Sequence, residues 1–111
     1  VEFKNFLREA KIDHDELIKK GVEAFRAVAK YLTKKFPKSE DGWTDEAFFD
    51  PKTECWYTYE YVSMKSGDEV FLYLKTDPSG KVEEVNEFTD AQVKSWVTDD
   101  DLIAEITEQL P

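Results

Sequence analysis

The sequence predicts an α+β fold: N-terminal helices, one of them long, packed on a three- to four-stranded antiparallel β-meander and followed by two short C-terminal helices. Three observations predict it. Apolar residues between positions 18 and 36 recur at alternating intervals of four and three, the spacing of one helix face. From position 55 the chain turns aromatic and β-branched, in runs cut by two Gly-containing turns. The tail then returns to helical spacing behind two Thr N-cap signatures. At 111 residues and 41% hydrophobic side chains, residues 1–111 are expected to form one domain around one core.

The elements follow in chain order. Phe3, Phe6, Leu7 and Ala10 have helical spacing. Asp13 stands three residues before Glu16, a capping-box arrangement that opens the long helix. Its stripe runs through Ile18, Val22, Phe25, Ala29, Leu32 and Phe36, with Leu17 and Val28 widening it. Lys34 and Lys35 sit where the helix dipole favours cations, and Pro37 ends the helix. Gly21 costs a helix interior about 1 kcal/mol relative to Ala, so close packing is expected there. Residues 37–54 are rich in Pro, Gly, Ser, Thr and Asp and read as a long connection, with Trp43, Phe48 and Phe49 tucking back as a lid on the core.

Cys55–Met64 and Glu69–Lys75 read as paired strands, and Lys81–Phe88 as a weaker third one beyond the Asp77–Gly80 turn. Thr89 with Gln92 and Thr98 with Asp101 start the tail helices. Val93, Trp96, Val97, Leu102, Ile103, Ile106 and Leu110 form their apolar side. If Ser66 and Gly67 are the two central residues of the first hairpin, Tyr61 faces Leu72 and Tyr59 faces Leu74. Cys55, Tyr57, Tyr59, Tyr61, Val70, Leu72 and Leu74 then share the face that seats the long helix. Trp56, Thr58, Glu60, Val62, Phe71, Tyr73 and Lys75 share the accessible one. A slip of one residue would rearrange the whole assignment.

Composition excludes several functions. The net charge is −10, and it is unevenly spread. Residues 1–36 carry nine bases and six acids, while residues 37–111 carry six bases and nineteen acids. Direct binding to nucleic acid needs cationic side chains along phosphates, and binding to anionic lipid is opposed by the same balance. No stretch approaches the roughly 18 consecutive apolar residues of a membrane span. One cysteine, Cys55, excludes a disulfide framework; it reads as a small buried residue in a reducing, cytoplasmic setting. The opening VEFKNFLREA has no apolar signal core. No Gly-rich phosphate loop exists. The only histidine, His14, lies in DHDE at a helix start, where acids favour the helix N-terminus, and is far in sequence from Cys55. Carboxylate pairs such as Glu83 and Glu84 are too common here to single out a hydrolytic pair. No catalytic residue, metal or cofactor is assigned.

The expectation is a non-enzymatic acidic binding or inhibitor domain, resembling an immunity protein or a nucleic-acid mimic, as monomer or homodimer. Its partner would be a basic protein such as a nuclease or another nucleic-acid-binding protein. Trp56, Phe71 and Tyr73 are the expected aromatic anchors. Glu60, Glu83, Glu84, Glu87, Asp99, Asp100 and Asp101 are the expected steering charges. One alternative is a small-molecule-binding or enzymatic domain with a pocket between helix and curved sheet, lined by Cys55, Tyr57, Tyr59 and Tyr61, similar in outline to cystatin-like or nuclear-transport-factor-like folds. Another is a homodimeric interaction module built through the open sheet face.

Overall fold

The long helix α1, His14–Lys35, starts where the capping pattern places it: the Asp13 carboxylate accepts the Glu16 N–H at 2.9 Å. It ends at Phe36, whose N–H donates to the Leu32 carbonyl. The computed structural model describes residues 13–98 and 101–110. The helix expected over Phe3–Ala10, and Asp99 and Asp100, lie outside the described residues. After α1 come β1 (Ser39–Asp50), β2 (Cys55–Met64), β3 (Glu69–Thr76), β4 (Val82–Glu84), α2 (Asp90–Val93) and α3 (Leu102–Glu108). The strands form one antiparallel sheet in the order β1-β2-β3-β4. The α+β class, the long helix, the meander and the short C-terminal helices are therefore present as the sequence predicts.

The core lies between α1, α3 and one sheet face. Leu17, Ile18, Val22, Ala24 and Phe25 of α1 pack with Ala47, Phe49 and Trp56 of the sheet and with Val97, Leu102 and Ile106. The buried stripe of α1 is rotated from the predicted one: Gly21 and Ala24 are buried while Ala29 is exposed. At Gly21, α3 packs closely on α1. A Cβ there would collide with Ile106 Cδ1 and lie 2.9 Å from Ile106 Cγ1. The far end of α1 is tied to the sheet by an ion pair from Lys35 to Glu84, which raises the lysine pKa.

Three features differ from the sequence expectation. Residues 39–50 are a twelve-residue edge strand, not a loop. Its first eight residues are exposed or half-buried, and the register shifts between Ser39 and Asp41 and again between Thr44 and Glu46. Both facts erase the two-residue alternation that marks a strand. The predicted third strand pairs only over Val82–Glu84. Finally, α2 is a single turn with its Thr89/Gln92 capping box, and Thr98 does not cap α3. The Thr98 hydroxyl instead donates to the Ala47 carbonyl at 3.0 Å, beside a two-bond bridge between Val97 and Phe49.

The β2-β3 register carries the main correction. Tyr61 faces Phe71 and Tyr59 faces Tyr73. The connection contains Lys65, Ser66 and Gly67, closed by Met64 N–H to the Asp68 carbonyl and Gly67 N–H to the Met64 carbonyl. Gly67 has φ +94°, the left-handed conformation that such three-residue hairpin loops demand. One extra loop residue moves β2 by one position against β3 and exchanges its faces. Trp56, Thr58, Glu60 and Val62 therefore point to the helices, and Tyr57, Tyr59 and Tyr61 point away. Trp56 and Glu60, predicted as accessible partner-binding residues, are each 2% exposed. Phe71 and Tyr73 keep their predicted face, opposite Leu74.

Candidate functional site

The sheet face turned away from α1 is covered by aromatic rings. Cross-strand pairing sets Trp43 against Tyr61, Tyr61 against Phe71, Tyr59 against Tyr73 and Phe48 against Tyr57. Trp43 stacks on Tyr61 with centroids 4.0 Å apart, and Tyr59 stacks on Tyr73 at 4.5 Å. Phe71 bridges the two pairs, 5.2 Å from Tyr61 and 5.6 Å from Tyr59. Beyond Tyr73 the rings continue through Phe88, Tyr57 and Trp96 to Phe48. Offset and edge contacts of this kind contribute roughly 0.5–1.5 kcal/mol per pair beyond area burial.

The two ends of this ladder differ. Phe88 and Trp96, from the segments flanking α2, close over Tyr57 and Phe48, and Trp96 is only 9% exposed. The other end is bare: Trp43 is 52% exposed and Phe71 49%. The tail thus covers one half of the face and leaves the other half open.

Carboxylates fringe the open half. Register places Asp41, Glu46 and Glu69 on the ring face, and all are exposed. Glu69 accepts the Tyr61 hydroxyl at 2.8 Å, which raises the phenol pKa. Asp45 accepts the Trp43 indole N–H at 3.3 Å. At the covered end, Glu83 lies 3.9 Å from Lys75, the base that pairs across from Tyr57. Loss of hydration, followed by the charge of Glu87, raises the pKa of Tyr73. Ring faces bordered by carboxylates suit cationic side chains: the ring attracts the charge and the acid accepts its hydrogen bonds.

The sequence-predicted site residues are divided by this geometry. Phe71, Tyr73, Glu83 and Glu87 are on or beside the ring face. Glu84 lies opposite Leu74 on the helix face and pairs with Lys35. Asp101 is the exposed N-cap residue of α3. Trp43, Tyr59 and Tyr61 were assigned elsewhere; strand pairing of 39–50 and the three-residue loop bring them to the site. The Gly67-containing turn was the one sequence signal for the shifted register.

The opposite sheet face holds a cleft of about 400 Å3 between α1, α3 and β1-β2. Its lining includes Glu60, Val62, Gly42 and Thr44, not the Cys55 and tyrosines expected of a pocket. The Thr44 hydroxyl lies 2.8 and 2.9 Å from the two Glu60 carboxylate oxygens. Burial raises the Glu60 pKa, and the Thr44 hydrogen bond partly opposes that. A raised native-state value means that ionised Glu60 costs stability at neutral pH, and that the penalty fades as pH falls through that value. Glu60→Gln is therefore expected to stabilise the protein by on the order of 1 kcal/mol near neutrality, because Thr44 can still donate to the amide oxygen. Denaturation at pH 7 and at about pH 4, near the ordinary carboxylate value, checks this: the gain should shrink in acid.

The described residues contain no group of three or more His, Cys, Asp and Glu arranged to hold a metal ion. His14 pairs with Glu105 of α3 at 3.1 Å. No described helix is long and apolar enough to cross a membrane. No protein-family model, no curated protein and no solved structure matches the chain.

Proposed function

We propose that this protein is a non-enzymatic binding protein whose open ring face engages a basic partner protein. The observation that carries the reading is the half-exposed end of the aromatic ladder, Trp43 and Phe71, bordered by Asp41, Asp45, Glu46 and Glu69. An arginine entering there would lie over a ring and meet a carboxylate at its edge, gaining charge, stacking and hydrogen bonding together. The chain-wide negative charge would accelerate encounter with such a partner. A nuclease or another nucleic-acid-binding protein carries the required arginines and lysines, so inhibition by occupying a phosphate-binding surface, as an immunity protein does, is the favoured role.

Binding by anchors and a charged rim fits better than mimicry of a phosphate array. Glu60 is buried, Glu84 faces α1, and Asp101 belongs to α3, so among the described residues the carboxylates first singled out do not all share one surface. Titration calorimetry with an arginine-rich peptide tests the reading. Affinity should fall as ionic strength rises, and Trp43→Ala or Phe71→Ala should each weaken binding by about 2 kcal/mol, roughly 30-fold. Binding that ignores both salt and these substitutions would refute it.

A further inference from the structure

We infer that the cleft between α1, α3 and the inner face of β1-β2 binds a small amphipathic organic cation, a protonated amine carried on an apolar alkyl or aryl body. The cleft lies on the helix side of the sheet, borders the ring face at Trp43, and holds about 400 Å3, a volume suited to a small molecule. Its walls are apolar, formed chiefly by Phe25, Val28, Leu32, Ile103 and Leu110. Glu60 lies among them at 2% exposure, a carboxylate set in a hydrocarbon surround. Exposed Glu40 stands at its rim, and among the described residues no Lys, Arg or His lines it.

This chemistry selects the ligand. A carboxylate has about four lone-pair sites; the Thr44 hydroxyl lies within reach of both Glu60 oxygens and the Thr58 hydroxyl also stabilises the charge, but no cation does so. Burying an ionised carboxylate without a cation is costly, and burial already pushes the Glu60 carboxyl above its usual range. An ammonium group would supply the missing charge and donors, while its apolar body displaces water from the walls. An anion would meet the Glu60 carboxylate and, among the described residues of the lining, no Lys, Arg or His. A neutral apolar molecule would leave Glu60 uncompensated. A divalent metal takes six or more oxygen ligands, which one carboxylate between apolar walls does not provide.

The test is calorimetric titration of the full chain with octylammonium and with octan-1-ol, together with methyl chemical-shift mapping. The ammonium should bind at least about tenfold more tightly than the alcohol, as a charge-assisted hydrogen bond would give. Its shifts should centre on Val62, Ile103 and Leu110. Glu60→Gln should remove the preference, leaving the two probes equal. Ala29→Trp, which fills the cleft from the exposed side of α1, should abolish binding of both probes and tests the location independently of Glu60. Equal affinities in the unmodified protein, no binding of the ammonium, or shifts centred on Tyr59, Phe71 and Tyr73, which do not line the cleft, would overturn the inference. So would cleft-methyl shifts that follow protein concentration without any amine, which would mark a second copy as the occupant.

Discussion

Trp56→Ala is expected to destabilise the protein by about 3–5 kcal/mol, the range for removing a large buried ring. Trp56 is 2% exposed and sits between the sheet and α1. Its ring meets Phe25 edge-on at 6.1 Å and Phe49 at 5.2 Å, and it lies beside Gly21. Its truncation would leave a cavity bounded by three elements that cannot all collapse inward. Trp56→Phe should cost much less, since most ring contacts survive and the indole N–H has no hydrogen-bond partner among the described residues. Trp43→Ala, on the exposed half of the opposite face, should change stability by well under the Trp56 value. Urea denaturation of the three variants compares them directly. The ordering also tests the β2 register, because a shift by one residue would bury the tyrosines and expose Trp56.

Gly21→Val is the second large effect, an expected loss of about 2–3 kcal/mol from overpacking. The first added carbon already meets Ile106 Cδ1, lies 2.9 Å from Ile106 Cγ1 and is 3.1 Å from the Trp56 ring. Ile106 is fully buried, so its terminal carbon has little room to move aside. Gly21→Ala should lose less, because helix propensity returns about 1 kcal/mol. A double-mutant cycle separates the terms. Ile106→Val removes the colliding carbon, so it should cost clearly less in the Gly21→Ala background than alone. Additive changes would show that α3 does not press on α1 at this point.

Much of the architecture was legible in the residues, and its failures have local causes. The α1 cap, the close approach at Gly21, the two strands with aromatic and β-branched runs and the Thr89 capping box are all set by short-range patterns. Strand β1 was hidden because an edge strand with exposed Asp, Glu and Gly and two register shifts resembles a turn-rich loop. The β2 faces were exchanged by one loop residue: Lys65-Ser66-Gly67-Asp68 signals a turn, while the number of residues inside it depends on the left-handed Gly67. Aromatics lie on both sides of β2, so hydrophobicity alone does not choose the buried side. The candidate site inherited that ambiguity. Phe71 and Tyr73 were placed correctly because β3 alternates cleanly, whereas Trp56 and Glu60 changed places with Tyr57, Tyr59 and Tyr61.

The most direct measurement is the response of aromatic ring signals in nuclear magnetic resonance when an arginine-rich peptide is added. If the open sheet face is the docking surface, the rings of Trp43, Tyr59, Tyr61 and Phe71 should shift together, saturably and less at high ionic strength. Trp56 and Phe25, buried between the sheet and α1, should stay unchanged. Shifts confined to α1, or binding that leaves those four rings untouched, would contradict the account.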